Sequence, residues 1–208
     1  MAKACNCPPA TALTDIPGTD CAFDLGQLQK FGIQRGGYVW DAAGTPATDP
    51  TKKADWLTLK AATDSEKVIF TPLIGGDPII TPGDPITNGG GDNSTLNGVE
   101  EITGVNPSVF TGVYKSLSPE TKKALTELDC EKDLVIYPIN DSNSIFANLI
   151  STGKYEGIPI TGFHVSDRGN NGFGTKDTFA VRFSLPARWD NDLVQITPET
   201  GFRPLQDL

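Results

Sequence analysis

Histidine is nearly absent from this sequence, which has only His164 among its 208 residues. A serine–histidine–aspartate triad needs a histidine as its base, so any such site would have to use this one. His164 lies in a predicted strand (ITGFHVSDR) on the face opposite Phe163 and Val165, which is typical of an exposed strand histidine. The carboxylates Glu100 and Glu101 are adjacent, so they would point to opposite faces of a strand. We therefore predict no catalytic residues and no enzyme activity.

Cysteine is scarce, and its spacing is poor for a metal site. The four cysteines are Cys5, Cys7, Cys21 and Cys130. Structural zinc sites are typically built from paired C-x2–4-C knuckles, which one C-x-C and two distant cysteines do not match. We predict no metal and no cofactor. The pattern leaves the redox and metal state of these thiols open, although a cytoplasmic location would keep them mostly reduced.

Basic residues and long apolar runs are also in short supply. Lys and Arg number 17 against 26 Asp and Glu, which gives a net charge of −9. This balance excludes a phosphate-binding surface, but not a surface past which nucleic acid slides without binding. No segment reaches the roughly 18 apolar residues of a membrane span. The first residues (MAKACNCPPATALTD) lack the apolar core of a secretory signal, so we expect a protein made in a cytoplasm with no membrane partner.

Glycine and proline are abundant, with 22 and 16 residues, and they indicate many turns between short strands. They concentrate in residues 75–98 (GGDPIITPGDPITNGGGDNSTLNG), where sixteen of the 24 residues are Gly, Pro, Asn or Asp. Irregular loops of this length are uncommon in compact domains unless they are functional or disordered. Ordering each residue costs roughly 1–2 kcal/mol of backbone entropy, so a loop with few anchoring side chains needs an outside contact. We predict that a neighbouring copy of the chain supplies it.

The same loop contains a small repeat, because Gly-Asp-Pro-Ile occurs at residues 76–79 and again at residues 83–86. We interpret the loop as an arm that contacts another subunit, with the two copies as the sides of a protruding hairpin and a run of three glycines as its hinge. Two similar turns by chance are the alternative. The predicted contact residues are Gly76, Asp77, Pro78, Ile79, Gly83, Asp84, Pro85, Ile86, Gly89, Gly90 and Gly91.

Apolar alternation and turn residues predict a strand-rich chain. The predicted strands are residues 23–35, 38–40, 67–72, 98–104, 134–139, 144–150, 158–166, 176–185 and 193–196. Helix-start signals predict short helices at residues 49–62, 106–114 and 118–128, with Asp49 and Ser118 as N-caps. This content indicates an α+β fold, mainly an antiparallel β sandwich or open barrel with a long protruding loop. We predict a single structural domain over residues 1–208, with residues 1–20 as an extended N-terminal arm.

Four runs of the sequence form a recognisable set: residues 21–35 (CAFDLGQLQKFGIQR), 97–107 (NGVEEITGVNP), 128–137 (LDCEKDLVIY) and 183–193 (FSLPARWDNDL). Together they resemble virion structural proteins encoded by tailed phages of Bacteroidetes hosts. The resemblance spans roughly residues 21–205 and is carried by packing and turn patterns. It therefore implies no catalytic or ligand residue.

This resemblance implies either a tail-tube protein or a head-associated one. Tail-tube proteins form stacked rings, usually hexameric, around a lumen through which DNA passes. The partners would be further copies of the chain, other virion proteins, and DNA that passes without specific binding. The protein would be assembled in the host cytoplasm and located in the virion. An acidic inner wall would repel DNA phosphates and keep them moving. The loop and residues 202–208 would bridge to neighbours.

The sequence does not separate a tail tube from a capsid decoration or auxiliary protein or a head–tail connector. A small enzyme or a glycan-binding module is a more distant alternative. Sugar binding needs exposed aromatic side chains, whereas Trp40, Trp56 and Trp189 each adjoin apolar strand or helix positions. We predict a non-enzymatic virion protein that self-assembles, with the tail tube as the first candidate.

Overall fold

A computed structural model of the chain describes residues 23–91, 95–170 and 172–208. These residues form mainly antiparallel strands with three short helices, which confirms the predicted α+β class. The helices are α1 (Lys53–Ala61), α2 (Pro119–Glu127) and α3 (Pro204–Asp207). The strands are β1 (Leu28–Arg35), β2 (Val39–Asp41), β3 (Ile69–Phe70), β4 (Gly75–Thr81), β5 (Pro85–Asn88), β6 (Glu101–Val105), β7 (Ser108–Lys115), β8 (Leu134–Asn140), β9 (Ile145–Ser151), β10 (Lys154–Glu156), β11 (Ile158–Val165), β12 (Thr178–Leu185) and β13 (Leu193–Ile196). The predicted N-terminal arm lies outside the described residues.

The strands form two packed sheets that share β11. Sheet 1 has the order β2-β10-β9-β8, with β1 beside β8, β3 beside β1 and β13 beside β9. Sheet 2 has the order β11-β12-β7-β4. The first residues of β11 pair with β8 and the last pair with β12, so this strand carries the chain from one sheet to the other. The result is a sandwich, one of the two predicted arrangements.

Phe183 lies at the centre of the core between the two sheets. Its ring stacks on Phe110 of the neighbouring strand β7, with the ring centroids 4.6 Å apart. It also meets Phe31 of β1 edge-on across the sandwich, at 5.4 Å. These three rings are at most 1% exposed. The predicted alternation of β12 is confirmed, with four buried side chains on its inward face: Phe179, Val181, Phe183 and Leu185.

Strand β8 is buried on both faces because the molecule has a third layer. Leu134 and Ile136 point into the core between the sheets. The alternate residues Val135, Tyr137 and Ile139 point the other way, into a second core built with α1 and the end of the chain. A strand covered on both sides reads as a continuous apolar run, as LVIYPIN does.

Helix α1 begins later than predicted. Asp49 does not cap it, because the Asp49 carboxylate instead accepts from the backbone N–H of Thr51 at 2.9 Å and closes a turn before the helix. The helix covers the second core with the predicted side chains, Trp56 and Leu59, both buried. The indole N–H of Trp56 donates to the carbonyl of Pro50 at 2.8 Å, which ties the helix to that turn.

The predicted helix at residues 106–114 is wrong, because this segment is strand β7. Asn106 and Pro107 form the connection between β6 and β7 and not a helix start. The residues of β7 alternate between buried positions and partly or fully exposed positions along its length. The β-branched and aromatic residues of SVFTGVYK favour this period of two, and β4 and β12 supply pairing on both sides.

The end of the chain also differs from the prediction, because residues 202–208 dock on their own molecule. Phe202 and Leu208 are buried in the second core. Lys60 of α1 donates to the Leu208 carbonyl at 2.6 Å, and Lys53 forms an ion pair with Asp207 at 2.7 Å. This segment is therefore part of the fold, and its contact with another subunit stays a prediction.

Helix α2 begins as predicted. Its N-cap is Ser118, whose hydroxyl accepts from the backbone N–H of Thr121 at 3.1 Å, and Pro119 occupies the first turn. The buried Leu125 faces the core.

We expect Ser118→Ala to lower the free energy of unfolding by about 1 kcal/mol, because it leaves a helix N–H without its acceptor. Ser118→Asp keeps an acceptor at the same position and serves as the matched control. Urea denaturation followed by circular dichroism measures both. Equal losses in the two variants would contradict the capping role.

Candidate subunit interface

Residues 75–115 form one long antiparallel hairpin, of which the near half belongs to the sandwich and the far half protrudes. β4 pairs with β7 in sheet 2, whereas β5 pairs with β6 in a two-stranded sheet of its own. Between the two pairs, the backbone N–H of Asn106 donates to the carbonyl of Asp84 at 2.9 Å. We call residues 85–105, which lie beyond this link, the arm.

The two Gly-Asp-Pro-Ile copies do not form the two sides of a hairpin. Residues 76–79 lie in β4 against β7, and residues 83–86 lead into β5 against β6. Both copies are on the same side of the long hairpin, so they cannot face each other. The predicted loop does protrude, but residues 75–88 are mostly strand because their partners come from later in the sequence.

The predicted contact residues are therefore spread along one side of the hairpin. Gly76, Asp77, Pro78 and Ile79 are in β4, Gly83 and Asp84 lie between the two strand pairs, Pro85 and Ile86 are in β5, and Gly89, Gly90 and Gly91 follow β5. Their role in subunit contact stays a prediction. Asp92, Asn93 and Ser94 lie outside the described residues.

Gly89, Gly90 and Gly91 form part of the tip of the arm. Their φ angles are +91°, +86° and +107°, a region that other residues rarely adopt. The backbone N–H of Gly91 donates to the carbonyl of Gly98 at 3.2 Å and helps to close the tip. A hinge at these glycines would move the tip relative to β5 and β6, not the arm relative to the sandwich.

At Gly83, where the arm leaves the sandwich, the two sides of the long hairpin lie very close together. A Cβ atom on this residue would lie 1.8 Å from the carbonyl oxygen of Asn106 on the opposite strand, closer than any side chain allows. The two strands thus approach closely just where the arm leaves the sandwich. Beyond this point, the Thr103 hydroxyl donates to the Ile86 carbonyl at 3.0 Å and braces the hairpin.

The arm exposes large aliphatic side chains, and its base borders the turn after β12 at Ala187 and Arg188. Leu96 is 83% exposed, Ile102 70%, Val99 59%, Ile86 46% and Val105 37%. None of them belongs to either hydrophobic core. Five such side chains on a hairpin of 21 residues form a concentrated apolar surface, which is typical of a protein–protein contact and costly to leave in water.

The charges of the arm are of one sign. Between residues 85 and 105 the sequence has Asp92, Glu100 and Glu101 and no Lys or Arg. Glu100 and Glu101 lie between the exposed Val99 and Ile102, so apolar and acidic groups are adjacent along the chain. A surface of this kind fits a partner that is apolar and basic.

Leu96, Val99 and Ile102 were missing from the predicted contact residues, which stop at Gly91. The sequence does contain a pattern that could have identified them as contact residues, since they are isolated aliphatic residues in a polar stretch of the chain. Their exposure depends on the hairpin leaving the sandwich, which local sequence does not specify.

His164 has the exposed strand position that the sequence predicts. Its Nδ1 lies 2.9 Å from a carboxylate oxygen of Asp129, and its side chain is 64% exposed. The aromatic side chains that could stack on a sugar are not available as a platform, because Trp40 and Trp56 are fully buried. Trp189 is partly buried against the core between the sheets.

Within the described residues, no three His, Cys, Asp or Glu side chains come together as metal ligands. Cys130 is an exposed free thiol, and Cys5, Cys7 and Cys21 lie outside the described residues. None of the helices in the described ranges has the length and apolarity needed to cross a membrane.

Comparison with known proteins identifies no relative by sequence. No protein-family model matches the chain, and no curated protein matches it. Among solved structures, a chain from the "tail of empty GTA particle" with C6 symmetry is similar at 11% identity and a TM-score of 0.33. That similarity covers 60% of this chain and 82% of the other. A TM-score this low does not indicate a shared fold.

Proposed function

We propose that this protein is a non-enzymatic structural subunit that assembles with copies of itself through the arm. The observation that carries this proposal is the concentration of exposed aliphatic side chains on a hairpin that contributes none of the described residues of either hydrophobic core. A surface of this kind is stabilised when a partner removes it from water.

We further propose that the assembly is the tail tube of a phage-like virion, with stacked rings around a lumen that conducts DNA. This assignment depends on the four sequence runs that resemble tailed-phage virion proteins. The net charge of −9 supports it, because a lumen wall with few cations would not hold DNA phosphates.

The test is the assembly state of the purified full chain and of a variant with Leu96, Val99 and Ile102 replaced by serine. Burying one aliphatic side chain contributes about 1.5–3 kcal/mol, so losing three should weaken self-association at least about a hundredfold. Light scattering after size-exclusion chromatography measures the mass, and negative-stain microscopy shows whether rings or tubes form.

The matched control replaces three exposed aliphatics outside the arm, Leu57, Leu73 and Ile150, with serine. We expect this control to assemble like the unmodified chain. A full chain that stays monomeric at all concentrations, or an arm variant that assembles as well as the control, would contradict the proposal.

A further inference from the structure

The outward face of sheet 2 is exposed on β12, β7 and β4, whereas at β11 it meets residues 128–130, whose Asp129 contacts His164. The inward side chains of β12 are buried in the sandwich, whereas Ala180 and Arg182 on its other face are exposed. Thr111 of β7 is the register partner of both Arg182 and Ile79 of β4, and all three are exposed. The face therefore exposes Ile79, Thr111, Ala180 and Arg182 across three neighbouring strands.

This face is basic on a chain that is acidic overall. Strands β7, β11 and β12 contain Lys115, His164 and Arg182 and no Asp or Glu. Lys115 and Arg182 are exposed and take part in none of the ion pairs found in the described ranges. The carboxylates near the face are Asp77 in β4, at the edge of the sheet, Asp129, which is paired with His164, and Asp177, which precedes β12 and is paired with Arg168.

The arm and this face are complementary in charge. The arm presents exposed aliphatics with Glu100 and Glu101 and no cation, and the face presents Ile79 with Lys115 and Arg182. We propose that the arm of one copy docks on the outward face of sheet 2 of a second copy. This inference rests on the proposed self-assembly and names the surface that receives the arm.

Within the described residues, the two strands of the arm pair with each other and not with a strand of sheet 2. Their pairing begins just past the end of the β4–β7 pair, and the large aliphatic side chains of the arm are exposed. Because the donor and acceptor are different surfaces, the contact is head-to-tail. Each copy then has one free arm and one free face, and repetition of the contact gives a closed ring or an open filament.

The experiment uses two variants of the chain, each of which keeps one of the two surfaces and lacks the other. The acceptor-only chain has the arm replaced by a short Gly-Ser linker, and the donor-only chain carries Lys115→Glu with Arg182→Glu. We expect each to be monomeric alone and the two together to form a 1:1 complex in sedimentation velocity. Adding the two glutamate substitutions to the acceptor-only chain should weaken that complex at least about tenfold, because like charges then meet.

Charge reversal on both sides provides a second measurement. Glu100→Lys with Glu101→Lys should weaken assembly in the full chain, and combining it with Lys115→Glu and Arg182→Glu should restore it. Lys132→Glu changes an exposed lysine outside sheet 2 and serves as the control that leaves assembly unchanged.

The outcomes distinguish this inference from the function on which it rests. If the acceptor-only chain is monomeric but the Lys115→Glu, Arg182→Glu chain assembles like the unmodified protein, the arm binds elsewhere and the inference is wrong. If the chain without its arm still assembles, self-assembly through the arm is itself wrong. A 1:1 complex between the two single-surface proteins supports both.

Discussion

Replacing residues 85–105 with a short Gly-Ser linker is expected to abolish self-assembly while shifting the thermal midpoint of the monomer by no more than about 3 °C. The two residues that flank the excised segment already lie side by side, because the Asn106 N–H donates to the Asp84 carbonyl. The arm contributes no side chain to either hydrophobic core, so its removal takes little from the folded state. Circular dichroism measures the midpoint, and light scattering measures the mass.

These boundaries make a sharper test than deletion of residues 83–93, which contain the second Gly-Asp-Pro-Ile copy and the three glycines. That deletion would remove β5 and leave β6 without its partner. A companion variant keeps the backbone of the arm and replaces its five exposed aliphatics with threonine. If the linker variant unfolds and the threonine variant still assembles, the arm belongs to the fold and not to an interface.

Phe183→Ala is expected to lower the free energy of unfolding by about 3–5 kcal/mol. The substitution removes the ring that contacts Phe110 and Phe31 and leaves a cavity between the sheets. Domains of this size are stable by about 5–15 kcal/mol, so the loss is a large share of the total. Urea denaturation should be measured in the variant that lacks the arm, so that assembly does not contribute.

Phe173→Ala is the matched control, because it is the same substitution at a fully exposed position between two glycines of positive φ. Its expected effect is within about 0.5 kcal/mol. If Phe183→Ala is insoluble, Phe183→Leu keeps most of the volume and should cost about 1 kcal/mol. Equal stability of the two alanine variants would show that the sheets do not pack around Phe183 as described.

Elements whose signals are local could be predicted from the sequence. Ser118 and Pro119 mark the start of α2 within three residues of chain, and the strict alternation of β12 marks its buried face. The strands predicted at residues 134–139 and 144–150 are β8 and β9 of the structure, joined by a short turn. They pair only through Ile139 and Ile145, since β9 pairs mainly with β10 and β13.

Elements that depend on distant partners could not be predicted. Residues 75–81 look irregular because of Gly75, Gly76 and Pro78, yet pairing with β7 makes them a strand. Asn106-Pro107 fits both a helix start and a turn, and only the sheet partners of the following residues favour the turn. The exposure of the arm could not be predicted for the same reason. Whether its side chains are buried depends on where the long hairpin leaves the sandwich.

The continuity of that long hairpin has a mechanical consequence. Only residues 82–84 on one side and 106–107 on the other separate the arm from β4 and β7. A load applied at the tip would travel as tension along both backbones into sheet 2, with no flexible tether to absorb it. Since β7 lies between β4 and β12, the hydrogen bonds on both of its sides would resist that pull together in shear. A force applied to the arm therefore acts directly on the strands of sheet 2, which carry much of the core.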